Sequence, residues 1–123
     1  MSEGWIGVDL DGTLAKYDEW RGETHIGEPI PLMVDRVKKW LSEGVQVKIF
    51  TARATSKNAE VHMSIQKWCI THIGVPLMIT SSKDYGMIEL WDDRCVQVIP
   101  NTGMALQEFI VEIEPNLKIE GDI

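Results

Sequence analysis

Short apolar runs alternate with longer amphipathic stretches along this chain. Trp5-Ile6-Gly7-Val8 is apolar throughout and meets the polar run Asp9-Leu10-Asp11-Gly12-Thr13 abruptly, the pattern of a buried strand that ends in a turn. Residues Leu14 to Glu28 hold no sustained period and read as a loop or small flap. Leu32, Val34, Val37, Trp40 and Leu41 then recur near helical spacing as far as Gly44, which predicts a helix. Val45-Gln46-Val47-Lys48-Ile49-Phe50 alternates and is rich in β-branched residues, so a second strand is expected to end at Thr51.

With Thr55 or Ser56 as its cap, a second helix carries the stripe Val61, Ile65, Trp68, Cys69 and His72 and stops near Gly74-Val75-Pro76. Three further strands are predicted at Leu77-Met78-Ile79, Ile88-Glu89-Leu90-Trp91 and Cys95-Val96-Gln97-Val98-Ile99. A last amphipathic helix spans Met104 to Ile113, and Glu114 to Ile123 reads as a frayed tail. The domain is therefore expected over residues 1–113, with 114–123 as a flexible tail. Strands alternating with helices predict an α/β fold, a three-layer sandwich with a mostly parallel, Rossmann-like sheet and right-handed crossovers.

In open sheets of this kind ligands bind beyond the carboxyl ends of the strands. Asp9, Asp11, Thr51, Lys83, Asp92 and Asp93 are the polar residues that the predicted elements bring there.

Composition narrows the function. The 123 residues, 44% hydrophobic and 25% charged, suit one globular core. A formal net charge of −7 argues against broad attraction to nucleic acid, which needs clustered Lys and Arg. Cys69 and Cys95 lack zinc-site spacing and read as two buried thiols in a reducing compartment. No secretory leader pattern opens the chain, and no run approaches the roughly 20 apolar residues of a membrane span. A cytoplasmic protein without a membrane partner is the expectation. The three histidines show no ligand spacing, and Trp5, Trp40, Trp68 and Trp91 fall on apolar faces as core residues.

The acids suggest chemistry. Asp9 and Asp11 flank a strand end and precede Gly12, so their oxygens can converge on one hard divalent cation, which would relieve their mutual repulsion. Asp9-Leu10-Asp11-Gly12-Thr13-Leu14 after an apolar strand resembles the first signature of the haloacid dehalogenase (HAD) superfamily. Later signatures of that family have counterparts in order: Thr51 in Ile49-Phe50-Thr51-Ala52-Arg53, Lys83 after a short strand, and Asp92-Asp93 after Ile88-Glu89-Leu90-Trp91.

The resemblance implies a Mg2+-dependent phosphatase with Asp9 as the nucleophile that takes the phosphoryl group and Asp11 as general acid and then base. It further implies Thr51 and Lys83 as donors to the phosphoryl oxygens, and Asp9, Asp11, Asp92 and Asp93 as the metal set, with Asp93 either on a metal water or holding Lys83. Gly12, Thr13, Ala52, Arg53 and Trp20 are candidate substrate contacts, although Arg53 also reads as an exposed arginine at a helix start.

The intervals between signatures are too short for a cap domain beyond the flap. An open site of this kind admits a large substrate or closure by another subunit, so a homo-oligomer is a further expectation. A small phosphorylated substrate is expected ahead of nucleic acid. Asp92-Asp93-Arg94 also resembles the last signature of polynucleotide kinase phosphatase domains, which makes nucleic-acid end processing an alternative that the acidic charge disfavours. A phospho-accepting domain resembling response-regulator receivers is the alternative from another class. It is disfavoured by the order of the motifs, because receivers carry their acidic pair first.

Overall fold

The computed structural model describes residues 4–108, and the chain divides after Asp93 into two compact units, Met1–Asp93 and Arg94–Ile123. The first unit holds a parallel four-stranded sheet: β1 (Trp5–Val8), β2 (Gln46–Phe50), β3 (Met78–Thr80) and β4 (Met87–Trp91), in the spatial order β3-β2-β1-β4. Two helices, α1 (Pro31–Ser42) and α2 (Ala59–His72), connect β1 to β2 and β2 to β3. This is the expected α/β, Rossmann-like sheet, with no cap domain among the described residues.

Helix α1 starts where Pro31 supplies a pre-set φ at the first turn, and it ends before Gly44, whose φ of +83° reverses the chain into β2. Its buried residues Met33, Val34 and Val37 share one face. Helix α2 buries Val61, Ile65, Trp68 and Cys69 at helical spacing. Its cap is Asn58, which accepts from Glu60 N at 3.0 Å, and not Thr55 or Ser56. Those residues are used by a separate 3₁₀ turn over Ala52–Thr55 and its end, and Thr51 caps that turn.

Alternation along the strands sorts the sheet faces. Ile6, Val8, Val47 and Ile49 join the buried residues of both helices in one apolar cluster, closed by the fully buried Leu10 and Leu14. Trp5 points to the other face, where Lys48 Nζ stands 4.4 Å from its ring. Its Nε1 donates to Asp84 Oδ1 at 2.8 Å, which ties the β3–β4 connection to the start of β1.

The second unit corrects one expectation. Cys95–Ile99 is not a strand; a single antiparallel bridge, Val98 to Ala105, replaces it. Its backbone groups find partners across a local turn instead, Ile99 N to Met104 O at 2.8 Å and Leu106 N to Gln97 O at 2.7 Å. Val96 and Val98 consequently remain more than half exposed. Cys95, expected to be buried, is exposed for the same reason, whereas Cys69 is buried and its thiol is pushed up to about 11 by that burial. Helical backbone begins at 106 rather than Met104; the rest of that predicted helix and the predicted tail lie outside the described residues. No helix of the described residues is long and apolar enough to cross a membrane.

Candidate active site

The strand order contains its own reversal point. From β1 the chain proceeds to β2 on one side, while β4 lies on the other, and such a switch leaves a crevice at the carboxyl ends of the two diverging strands. Register makes that crevice acidic. Val8 pairs with Trp91, so the next residues along each strand, Asp9 and Asp92, emerge side by side, and Asp9 N donates to Trp91 O at 2.9 Å. Asp93 follows directly. One carboxylate oxygen from each of Asp9, Asp92 and Asp93 lies within 4.8 Å of the other two. Three hard, anionic oxygen donors at this spacing fit a Mg2+- or Ca2+-type cation.

The loop after β1 is shaped to hold this cluster. Leu10 O accepts from Leu14 N at 3.0 Å and Ala15 N at 2.8 Å, and the burial of Leu10 and Leu14 anchors the turn in the core. Thr13 Oγ1 lies 3.2 Å from Asp93 Oδ1 and 3.4 Å from Asp9 Oδ2 and accepts from Asp93 N at 3.0 Å. Its single proton therefore serves one carboxylate at a time. Gly12 adopts φ +93°, and a Cβ there would stand 2.5 Å from Asp93 Oδ2. The two residues expected to touch substrate thus seat Asp93.

Asp11, expected with the other acids as a metal ligand, stands apart from the cluster of Asp9, Asp92 and Asp93. Its Oδ2 and Oδ1 accept from Arg53 Nε and Nη2, each at 2.9 Å. The Arg53 side chain is only 7% exposed, so it is not the solvated helix-start residue expected. Its Nη1 donates to Glu23 O, and its guanidinium stands 5.2 Å from the exposed Trp20 ring. Arg53 thereby links the β1 loop, the 3₁₀ turn and the flap. The flap itself is closed at its base by Lys16 N to Glu28 O at 2.8 Å and tied to α2 by Trp68 Nε1 to Gly27 O at 2.9 Å.

Thr51 is buried at the end of β2, and its Oγ1 accepts from Arg53 N at 3.2 Å. Ala52 is exposed at the start of the 3₁₀ turn. Lys83 is exposed and makes no hydrogen bond or ion pair among the described residues, and Asp93 engages Thr13 rather than Lys83. The reason is topological. The short connection from Thr80 must reach the amino end of β4, and its next residue, Asp84, is fixed to Trp5 at the opposite end of β1 from Asp9. Sequence order alone placed Lys83 with the acids; the direction of the connection does not.

Asp9 bears the electrostatic cost of the cluster. Its pKa is raised to about 7, first by burial, then by the Asp92 charge, then by Asp93 and last by Asp11. The unfolded carboxyl titrates near 3.8, so the folded chain without a cation holds this proton more tightly. The associated stability is fully present below that value and is lost as pH rises through about 7. Asp9→Asn removes the titration. In chelator, the stability of this variant relative to wild type should therefore grow from pH 4 to pH 8 by at most about 4 kcal/mol, with solvent screening reducing it. Urea unfolding at several pH values measures the gap; a gap that is flat with pH refutes it.

No family model matches the chain, and no curated protein matches it. A solved structure of a conserved protein from Bacteroides thetaiotaomicron is similar in fold, with a TM-score of 0.55 and 22% identity over 93% of this chain and 91% of that one.

Proposed function

We propose that the protein is a Mg2+-dependent phosphohydrolase that cleaves a phosphate monoester through a phosphoryl group carried on Asp9. The observation that carries this reading is the convergence of Asp9, Asp92 and Asp93 at the switch point between β1 and β4. The resemblance of Asp9-Leu10-Asp11-Gly12-Thr13-Leu14 to the HAD signature supports it.

When bound, the cation neutralises charge on the carboxylates and on the phosphoryl oxygens. Asp9 supplies the nucleophilic oxygen: its bond to phosphorus forms as the ester P–O bond breaks. Asp11 gives its proton to the departing oxygen, then takes a proton from the water that attacks phosphorus, and Asp9 leaves inorganic phosphate behind. Thr51 Oγ1 already accepts from Arg53 N, so its own proton remains for a phosphoryl oxygen. Among the described residues no lysine is hydrogen-bonded or ion-paired to these acids, which leaves the charge stabilisation to the cation, and activity should depend steeply on it.

The test is hydrolysis of 4-nitrophenyl phosphate by the purified protein. Turnover is expected with Mg2+ and is expected to fall to background in excess chelator, with recovery when Mg2+ is restored. Undiminished turnover in chelator would overturn the metal assignment, and no release of phosphate with any divalent ion would overturn the activity.

A further inference from the structure

A cavity of about 660 Å³ opens on the flap side of the acid cluster, and Asp11, Gly12, Lys16, Arg21 and Arg53 contribute to its wall. Arg53 offers five N–H donors. Nε and Nη2 are spent on the two oxygens of Asp11, and Nη1 on Glu23 O. Both Asp11 oxygens face the guanidinium fork, so a departing ester oxygen would have to share the carboxyl with Arg53. Opening one of these contacts turns the carboxyl toward the leaving group.

Opening it without replacement would leave a guanidinium that is 7% exposed without its counter-charge, and an uncompensated buried charge is strongly unfavourable. Water cannot fill that role at low cost; a second anion can. The wall suits one. Asp18 and Glu19 are drawn to Arg21 at 2.8 and 3.3 Å and so do not compete for Arg53. Lys16 has no ion pair among the described residues, although Glu28 lines the same cavity.

We infer that the cavity takes an acidic group on the leaving portion of the substrate, which replaces Asp11 on the Arg53 guanidinium and frees the Asp11 carboxyl for proton transfer. This rests on the phosphohydrolase reading and adds the substrate class: a phosphate ester carrying a second acidic group, carboxylate or phosphate, both of which match the planar fork. Arg53 is then the residue that couples recognition of the leaving portion to release of the acid, while Trp20, against the same guanidinium, senses the exchange.

The experiment compares propyl phosphate, 3-carboxypropyl phosphate and 1,3-propanediol bisphosphate with the Mg2+-loaded protein. One or both acidic esters should exceed propyl phosphate by about tenfold or more in kcat/KM, equivalent to about 1.4 kcal/mol. Part of the gain should appear in kcat, since a contact that merely held the ligand would lower KM alone. Which ester gains separates a carboxylate from a second phosphate. In Arg53→Gln the ratio should collapse toward unity. Equal rates in wild type, or a preference that survives Arg53→Gln, would overturn the inference while leaving the phosphohydrolase reading intact. A readout without turnover distinguishes the reverse failure: 4-phosphonobutanoate should bind about tenfold more tightly than propylphosphonate and change the fluorescence assigned to Trp20 by Trp20→Phe. Equal affinities would overturn the inference whatever the activity proves to be.

Discussion

Asp9→Asn is expected to reduce hydrolysis of 4-nitrophenyl phosphate to background, a loss on the order of 10⁴-fold or more, because in the proposed mechanism the amide removes both the attacking oxygen's charge and one ligand of the cation. The fold should survive. Asp9 is half-buried among like charges and its pKa is raised to about 7, so neutralising it relieves repulsion at neutral pH, and the melting temperature in chelator should stay level or rise. Loss of activity with a retained or higher Tm is the signature of a chemical role. Asp11→Asn makes a useful contrast. A 4-nitrophenolate leaves without needing a proton, so the first displacement proceeds and the second stalls, at a cost of roughly 10²–10⁴-fold. Mass spectrometry of that variant should find one added phosphoryl group, which disappears in the double variant with Asp9→Asn. Wild-type rates from Asp9→Asn would remove Asp9 from the mechanism altogether.

The sequence made the sheet legible because its strands are short apolar runs with sharp polar ends, most completely in the fully buried β1. Trp5–Val8 before Asp9 and Ile88–Trp91 before Asp92 are such runs, and their register in β1 and β4 brings the acids together. Cys95–Ile99 has the same local composition, yet it pairs across a turn rather than in a sheet, and composition does not reveal whether a neighbouring strand exists. The placing of Lys83 rested on order along the chain, which does not report which end of the sheet a connection has reached, and its neighbour Asp84 is tied to Trp5. The Arg53–Asp11 pair joins residues 42 positions apart through a fork of hydrogen bonds. A cation three residues beyond a strand end, in a chain with a loop rich in acids, was the one available signal, and burial, which decides its meaning, is a property of the folded chain.

The architecture also concentrates its tolerance for change unevenly. Gly12 and Gly44 both hold positive φ, +93° and +83°, but a Cβ at Gly44 meets nothing within 4 Å whereas one at Gly12 would stand 2.5 Å from Asp93 Oδ2 and 2.8 Å from Asp93 Cγ. Alanine at either position strains the backbone by about 1–3 kcal/mol. Only Gly12→Ala also has to move a carboxylate of the Asp9, Asp92 and Asp93 cluster. Asp93 cannot retreat without loosening its backbone N–H and Oδ1 from Thr13 Oγ1, at 3.0 and 3.2 Å, and Thr13 is the residue that also approaches Asp9. Displacing a ligand and its hydrogen-bond support commonly weakens a metal by about 10–100-fold. Gly12→Ala should therefore raise the Mg2+ concentration needed for half-maximal hydrolysis by that factor, and weaken Mn2+ binding by electron paramagnetic resonance in parallel. Gly44→Ala should show a similar fall in unfolding free energy with unchanged metal dependence. If the two variants lose metal affinity equally, the effect is one of global stability and Asp93 is no ligand; if Gly12→Ala alone loses it, the contact between a glycine and a carboxylate is what sets the geometry of the cation site.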